Sequence, residues 1–241
     1  HPEVEIMKPK EYLFKIISRI FSINNGVFLL YNSSVDRKRV FNLTKKIKNE
    51  SEMLLGYTEA YQIFTNARAA VKIDGDMAEV GVYKGGSAKL ICEAKGNKTL
   101  HLFDTFEGLP EVCNLDDPKQ VKKGDYPASV DEVKKHLKQY PEVHIYKGLF
   151  PATAKPIENN RFSFVNLDVD IYDSTLAGLN FFYPRMNAGG IIMSHDYVTC
   201  PGVKKAFDDF FRNKPEPIIE LSGSQCLVVK TCEKVKGGNA R

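Results

Sequence analysis

Hydrophobic and polar positions follow two different periods along this chain. From residue 77 onward, short apolar runs rich in β-branched and aromatic residues alternate with segments of helical periodicity. The runs predict strands at 77–82, 99–104, 143–148, 162–170 and 189–196, and the segments between them predict helices at 86–95, 129–139, 174–186 and 201–214. Strands that alternate with helices are typical of βαβ units, so we expect a mostly parallel sheet covered by helices.

The ends of these elements carry their own signals. Ser129 and Glu132 have the spacing of a capping box, Pro201 suits a first helical turn, and Asp173 is predicted to cap the helix after the fourth strand. Beyond the last helix, the runs 217–222 and 225–230 are separated only by Gly223 and Ser224, which predicts an antiparallel hairpin at the end of the sheet.

Residues 1–76 do not join the alternation and are predicted to be helical. Apolar side chains recur there at helical spacing, at Leu13, Ile16, Ile17, Ile20 and Phe21, and more loosely at Leu54, Leu55, Tyr61, Ile63 and Phe64. We therefore divide the chain into an N-terminal helical extension (1–76), a core (77–230) and a tail (231–241). Segment 111–127 is polar and longer than a usual connection, which is typical of a lid or binding loop.

The amino-acid composition excludes disordered, collagen-like and coiled-coil proteins. With 241 residues, 43% hydrophobic and 27% charged, the chain has ordinary globular usage. Five Cys without a CxxC pair argue against a disulfide framework or a cysteine zinc site and fit a reducing compartment, so we expect a cytoplasmic protein. No apolar stretch reaches the ~18 residues of a membrane span.

The net charge of +4 is unevenly distributed. Residues 1–50 contain ten Lys/Arg and five Asp/Glu, so the remainder is close to neutral. A basic arm on a neutral body is usually a solvated helical face, and we expect neither a nucleic-acid nor a membrane partner.

Candidate chemistry begins at segment 79–88, EVGVYKGGSA, where the first strand meets its helix. Glycines let the backbone approach a ligand there, although Gly81, Gly85 and Gly86 do not reproduce the G-x-G-x-x-G dinucleotide fingerprint. Asp104 ends the next strand, beside the tip of the first, where a carboxylate can accept hydrogen bonds from ribose hydroxyls. Together these features favour an adenosine-type cofactor over a turn that serves packing alone.

Acidic residues end the fourth and fifth predicted strands. Asp168 and Asp170 follow an apolar run, and His195 and Asp196 follow the next one. If these strands are neighbours, Asp168 and Asp196 converge on one point, with Asp170 or His195 as a candidate third member. Oxygen-rich clusters suit Mg²⁺ or Ca²⁺, whereas an imidazole favours Mn²⁺, Fe²⁺ or Zn²⁺. His195 is equally compatible with a hydrogen-bonded structural role.

Six motifs in this order resemble the macrocin O-methyltransferase family: EVGVYKGGSA, FDTFEGLP, GDYPAS, KGLFPAT, LDVDIYDST and GGIIMSHDY. The similarity spans about residues 56–230. It implies an α/β fold with a seven-stranded class I methyltransferase Rossmann-like sheet, an S-adenosylmethionine-dependent methyl transfer to a sugar hydroxyl and an active-site Mg²⁺. It also implies a homodimer or higher homo-oligomer, formed with help from the N-terminal helices. The implied small-molecule acceptor is a sugar or glycoside.

The resemblance also implies roles for individual residues. Asp168, Asp170 and His195 become catalytic candidates, Asp168, His195 and Asp196 become metal ligands, and Asp104 contacts the ribose. The residues along the cofactor are Glu79, Gly81, Tyr83, Gly85, Ser87, Asp104, Thr105, Phe106, Gly148 and Asp168. Phe106, Tyr126, Phe150 and Tyr172 are candidates for apolar walls, with core packing as the alternative.

Two departures from the family pattern affect which metal ion and which catalytic base we expect. Many members have two adjacent acids where this chain has His195 and Asp196, so Mg²⁺ should bind more weakly or give way to another metal. Members are also thought to use a histidine base from the lid, and segment 111–127 contains no histidine. Asp168, Asp170 and His195 are then the base candidates, with Asp116 and Asp117 as lid alternatives.

Three other interpretations compete with a metal-assisted methyltransferase. The first is a metal-independent methyltransferase, and the second is a nucleotide-binding oxidoreductase, which the missing fingerprint and the terminal hairpin disfavour. The third is a non-catalytic binding module that docks through residues 1–50.

Overall fold

The computed structural model describes residues 35–232, and within them seven strands form one mixed sheet of order β3-β2-β1-β4-β5-β7-β6. The first five strands are parallel, and β7 runs antiparallel to both of its neighbours, β5 and β6. This arrangement confirms the predicted α/β sheet and its terminal hairpin.

The strands are β1 (Asp76–Val80), β2 (Leu100–Asp104), β3 (Val143–Lys147), β4 (Phe162–Leu167), β5 (Met186–Ser194), β6 (Ile219–Glu220) and β7 (Cys226–Val229). The helices are α1 (Val35–Glu50), α2 (Tyr57–Ala70), α3 (Gly86–Ala94), α4 (Val130–Leu137), α5 (Tyr172–Phe182) and α6 (Pro201–Phe211), with 3₁₀ turns at Ala152–Ile157 and Tyr183–Arg185.

The central strands are apolar along their whole length because helices cover both faces of the sheet. All six residues of β4 are buried, as are four of the five in β1, whereas the edge strand β3 has no buried residue. Continuous apolar runs of this kind are expected for strands of a parallel sheet. The core therefore lies where β1, β4 and β5 meet the helices, and it fixes the positions at which these strands end.

The unit that carries the sheet begins earlier than the sequence boundary at residue 77. Among the described residues, those from Leu43 onward form one compact unit, so α2 belongs with the sheet rather than with an extension. The reason is packing: α2 buries Ala60, Ile63 and Ala67, and its helix contacts α3 and strands β4 and β5. The helix predicted around Leu13–Phe21 lies outside the described residues, as do residues 233–241 of the predicted tail.

Two of the three residues predicted to mark the start of a helix do so in the structure, and one does not. Ser129 caps α4 by accepting a hydrogen bond from the Glu132 amide at 3.3 Å, and Pro201 opens α6. The prediction that Asp173 caps α5 is wrong, because the N-cap of that helix is Ile171, two residues earlier. Asp173 lies exposed in the first turn, and the amide of Tyr172 is satisfied by another carboxylate, described below.

Strands β4 and β5 end at Leu167 and Ser194, two to three residues before the predicted ends. The chain turns there through Asp170 and Asp196, whose φ angles of 60° and 58° lie in the left-handed region. The acidic side chains therefore sit on turns beyond the sheet rather than on its strands. No helix among the described residues combines the length and apolarity needed to cross a membrane.

Candidate active site

A cavity of about 320 Å³ opens at the carboxyl ends of the parallel strands. Ligands of open α/β sheets bind at this edge, and the volume lies at the lower end of the roughly 300–1,000 Å³ found for ligand sites. The loops that follow β1, β2, β4 and β5 all contribute to its lining. The predicted site residues therefore meet around one space.

Asp104 organises the loop after β1. Its Oδ2 accepts hydrogen bonds from the amides of Val82 and Tyr83 at 2.7 and 2.8 Å, and its Oδ1 accepts one from Phe106 at 2.6 Å. Tyr83 adopts a φ of 50°, so the carboxylate holds a loop conformation that side chains rarely take. The loop is thus fixed before any ligand arrives.

Most of the predicted cofactor residues line the cavity. Those that do are Gly81, Tyr83, Ser87, Asp104, Thr105, Gly148 and Asp168. Three do not: Glu79 and Phe106 are buried away from it, and Gly85 lies outside the lining as the left-handed N-cap of α3. The glycine at 81 is required by packing, since a Cβ there would come within 1.7 Å of the Asp168 carbonyl oxygen.

Glu79 is fully buried in the protein and does not line the cavity. Asn166 Nδ2 donates to its Oε1 at 2.8 Å, and no basic side chain is among the groups acting on it. Burial raises the pKa of Glu79 to about 8. The side chain therefore carries a proton near neutral pH, and its contact with a cofactor is not supported by its position.

The predicted cluster does converge. Strands β4 and β5 pair in parallel with Leu167 opposite Ser194, which places Asp168 beside His195 and Asp196. His195 Nδ1 lies 2.6 Å from Asp196 Oδ2 and 3.5 Å from Asp168 Oδ1. All of these side chains, with Asp170, line the cavity.

The cluster holds more acids than cations. Burial by itself lowers the pKa of His195, but the charges of Asp168 and Asp196 outweigh it and raise that pKa to about 11. Burial raises the pKa of Asp168 to about 6 and that of Asp170 well above its ordinary value, and the nearby acids add to both shifts. The excess negative charge makes this end of the cavity attractive to a cation.

The donor set fits a divalent cation. Ligand atoms of Asp168, His195 and Asp196 all lie within 4.8 Å of one another, which one ion can span after small adjustments. A second set, Asp170, Asp196 and Cys200, is less suitable because burial raises the pKa of the Cys200 thiol to about 12 and keeps it protonated.

Two residues that sequence reasoning missed hold His195 from the other side. Glu59 on α2 places Oε2 3.4 Å from His195 Nε2, and Ser224 in the β6–β7 turn places Oγ 3.2 Å from the same nitrogen. The hydrogen bond to His195 lowers the pKa of Glu59 to about 2. Glu59 lies more than 130 residues before His195, and the only local signal at Glu59 is its spacing from Gly56, which is that of a helix cap.

The predicted lid residue Asp116 has a structural role. Its side chain is buried, its Oδ1 accepts from the Tyr172 amide at 2.8 Å, and its Oδ2 accepts from the Cys113 amide at 3.0 Å. Neither Asp116 nor Asp117 lines the cavity, so both are unsuitable as the base. Asp116 instead caps α5 and attaches segment 111–127 to the helix that follows the acid cluster.

Apolar walls come from two directions. Met53, Leu54 and Leu55 approach from the segment between α1 and α2, and Leu149 and Phe150 approach after β3. Of the four aromatic side chains considered from sequence, Tyr126 and Phe150 line the cavity, whereas Phe106 and Tyr172 do not. Leu54 and Leu149 are 61% and 53% exposed, so the mouth of the cavity is apolar and open.

Comparison with known families places residues 59–224 within the model described as Macrocin-O-methyltransferase (TylF). Among curated proteins, the chain is 27% identical over 153 residues to demethyldecarbamoylnovobiocin O-methyltransferase of Streptomyces niveus, covering 57% of this chain and 58% of the relative. It is 26% identical over 170 residues to 8-demethyl-8-(2,3-dimethoxy-alpha-L-rhamnosyl)-tetracenomycin-C 4'-O-methyltransferase of Streptomyces olivaceus, covering 63% and 64%. The matches thus span less than two thirds of either relative.

Solved structures share the fold. The O-methyltransferase NovP superposes with a TM-score of 0.69 at 20% identity, covering 83% of this chain and 100% of NovP. CalS11, a calicheamicin methyltransferase, gives a TM-score of 0.62 at 14% identity, covering 83% and 95%. At these identities the likeness establishes a class I methyltransferase architecture for the chain.

Proposed function

The chain belongs to the macrocin O-methyltransferase family, and on this premise we propose that it transfers the methyl group of S-adenosylmethionine to a hydroxyl of a small-molecule sugar or glycoside. One observation carries the proposal: a single cavity joins the loop held by Asp104 to the cluster of Asp168, His195 and Asp196. The names of the two curated relatives, which act on demethyldecarbamoylnovobiocin and on a rhamnosyl-tetracenomycin, support a glycoside acceptor.

The cofactor half of the cavity suits a nucleoside. Asp104 Oδ1 accepts one hydrogen bond from the protein and has a lone pair left for a ribose hydroxyl. Gly81 and Tyr83 bring the loop backbone to the cavity, and Ser87 lies in the first turn of α3. S-adenosylmethionine, when bound, supplies a methyl group already activated on a sulfonium.

The protein then has to align the acceptor and remove a proton. Correct placement of the reacting atoms is worth up to ~7–11 kcal/mol of the barrier. The acceptor oxygen forms the new bond to the methyl carbon as the methyl–sulfur bond breaks, and the electron pair stays on sulfur. We assign the hydroxyl proton to Asp170, because it lines the cavity and lies outside the set of Asp168, His195 and Asp196.

We propose that a divalent cation assists this reaction. Asp168, His195 and Asp196 would hold it, and it would supply acidification and orientation of the acceptor hydroxyl. Two adjacent hydroxyls can bind such an ion together, which favours a vicinal diol in the acceptor.

Calorimetry and mass spectrometry test the proposal. We expect S-adenosylhomocysteine to bind and NAD(H) not to bind, and a glycoside panel incubated with S-adenosylmethionine to yield products heavier by one methylene. Exclusive binding of NAD(H) would favour the oxidoreductase alternative. Turnover by Asp168→Asn equal to that of the native protein, with or without EDTA, would leave the methyltransferase standing and remove the cation.

The family resemblance also supports a homodimer. Light scattering on the full chain tests this, and we expect twice the mass of the 241-residue protein. A variant lacking residues 1–34 should dissociate if the N-terminal residues form the interface. A monomer for the full chain would remove the proposed dimer without affecting the assignment of the reaction.

A further inference from the structure

Among Asp168, His195 and Asp196, the donor set described above, His195 alone offers a nitrogen, and its surroundings are specific. Its side chain is 16% exposed and contacts polar groups on both ring nitrogens. Nδ1 faces the cavity, with Asp196 Oδ2 at 2.6 Å and Asp168 Oδ1 at 3.5 Å. Nε2 faces away from it, toward Glu59 and Ser224. The two sides of the ring therefore meet two different kinds of environment.

The contacts on the far side determine where the ring proton lies. Ser224 has a single hydroxyl hydrogen, and it is donated to Glu59 Oε1 at 2.9 Å. The Ser224 oxygen, 3.2 Å from His195 Nε2, is then left to accept, and Glu59 Oε2 at 3.4 Å can only accept as well. Nε2 must therefore carry a hydrogen, and in the neutral ring the lone pair is on Nδ1.

Glu59 and Ser224 are themselves held in place. The amide of Ser224 donates to Glu59 Oε1 at 3.2 Å, and the amide of Gly56 donates to Glu59 Oε2 at 2.7 Å. The Glu59 side chain is 16% exposed, so its orientation is set by these bonds rather than by solvent. A carboxylate that receives the far N–H of a histidine is the usual outer partner of a metal-bound imidazole.

We propose that Glu59 and Ser224 are positioning residues that present Nδ1 of His195 to a divalent cation beside Asp168 and Asp196, and that this nitrogen makes the site prefer Mn²⁺ over Mg²⁺. The inference rests on the cation of the proposed function. Mg²⁺ favours oxygen ligands, whereas imidazole favours transition-metal dications. A set of two carboxylates and one imidazole nitrogen therefore differs from an all-carboxylate set in both charge and softness.

Mn²⁺ and Mg²⁺ binding to the full chain, without cofactor or acceptor, tests the proposal separately from catalysis. Electron paramagnetic resonance counts free Mn²⁺ directly, and pulsed measurements detect a nitrogen ligand through its hyperfine modulation. We expect one bound Mn²⁺ with nitrogen modulation, displaced by Mg²⁺ only at about tenfold excess or more. Bound Mn²⁺ without nitrogen modulation, or no binding at all, would overturn the proposal.

His195→Asp tests the ligand. We expect the nitrogen modulation to disappear and the preference for Mn²⁺ over Mg²⁺ to fall by about tenfold, because an all-oxygen set replaces the mixed one. An unchanged preference would contradict the assignment of the selectivity to Nδ1.

Glu59→Gln tests the positioning role, with Asp131→Asn as a matched control that removes a carboxylate whose side chain is 88% exposed. We expect Glu59→Gln to weaken Mn²⁺ binding by about 10–100-fold and to alter the nitrogen modulation. Equal weakening of Mn²⁺ and Mg²⁺ with unaltered modulation would show a general charge effect and overturn the proposal.

Because Glu59 also holds the start of α2, a folding defect in Glu59→Gln would appear as lost circular dichroism. Ser224→Ala then carries the test, since it removes one acceptor from Nε2 while the amides of Ser224 and Gly56 still donate to Glu59. We expect it to weaken Mn²⁺ more than Mg²⁺, and equal effects would contradict the proposal. Nitrogen-bound Mn²⁺ in a protein that transfers no methyl group would leave this inference intact and remove the proposed function.

Discussion

Two histidines, one within the sheet and one just beyond the end of a strand, contact carboxylates and have pKa values shifted in opposite directions. Near the amino end of β2, His101 Nε2 lies 3.1 Å from one carboxylate, that of Asp76, and burial lowers the pKa of His101 in spite of it. Beyond the carboxyl end of β5, His195 meets Asp168, Asp196 and Glu59, and its pKa rises to about 11. One acidic neighbour does not offset desolvation, whereas three do.

The two histidines also differ in their surroundings, since His101 is buried and His195 lines the cavity. His101 stacks between His144 and Tyr146 and receives no contact from the cavity, so it belongs to the packing of β2 against β3. His195 lies where the strand ends leave an open space and where acids from several loops converge. The cavity leaves these acids accessible to a ligand, whereas His101 is buried among protein side chains.

The largest expected effect comes from substituting the carboxylate that contacts each histidine. Asp196→Asn should lower kcat/KM for methyl transfer by about 100-fold or more, because it removes a charge at the reacting end of the cavity. Asp76→Asn should change kcat/KM by less than about threefold, because Asp76 is remote from the cavity. Steady-state kinetics with saturating S-adenosylmethionine measure both, and equal losses in folded proteins would contradict the distinction.

Substitution of the histidines compares their contributions to stability. Near neutral pH, His195→Gln should cost about 2–4 kcal/mol of the free energy of unfolding, because it leaves three carboxylates without their cation. His101→Gln should cost about 1 kcal/mol, the value of a lost hydrogen bond. Urea unfolding in the presence of EDTA measures both.

The pH dependence of these costs has opposite signs. The raised pKa of His195 contributes stability below about pH 6.5 that is lost as pH rises toward 11, so the cost of His195→Gln should shrink in alkali. The lowered pKa of His101 makes the native protein lose stability as pH falls below 6.5, so the cost of His101→Gln should shrink in acid. Parallel curves for the two variants would contradict the comparison.

Glu79 extends the comparison to a buried acid with no basic side chain among the groups that act on it. Its pKa of about 8 means that the folded protein holds a proton which the unfolded chain releases above its ordinary pKa of 4.5. Stability should therefore fall between about pH 5 and 8.5, by on the order of 2–4 kcal/mol relative to Glu79→Gln. Equal pH profiles for the native protein and Glu79→Gln would show that Glu79 ionises freely.

The smallest effect concerns the acid that caps α5. Asp116→Ala should cost about 1–2 kcal/mol of unfolding free energy because two amides lose their acceptor. Asp117→Ala removes only a local bond to the Lys119 amide and should cost less than about 0.5 kcal/mol. Thermal unfolding measures the pair, and equal costs would contradict the capping role of Asp116.

Much of the fold follows from the sequence pattern. The alternation of apolar runs and helical segments predicted each of the first five strands, and Gly223 and Ser224 predicted the terminal hairpin. The predicted ends of β4 and β5 were less accurate. The residues after Leu167 and Ser194 continue the sequence pattern of a strand, although the backbone already turns through Asp170 and Asp196. The packing of α2 on the sheet was not predicted, because the apolar positions of a helix do not show which element they contact.

The candidate site was predicted in part. Asp104, Asp168, His195 and Asp196 all reach the cavity, since residues that end parallel strands share one edge of a sheet. Glu79 belongs to the same motif and does not reach it, because its side chain points into the core beside Asn166. Asp116 looked like a free lid acid, and only its contact with the Tyr172 amide shows otherwise.

The sequence by itself determined the parallel sheet, the edge at which the cavity opens and the acids that meet there, because periodicity shows which face of each element is buried and where the element ends. The tertiary structure alone decided what surrounds His195. Glu59 and Ser224 are separated by 165 positions and meet on one ring nitrogen. Such pairings depend on the paths of loops and on helix packing, which leave no periodic trace in the chain.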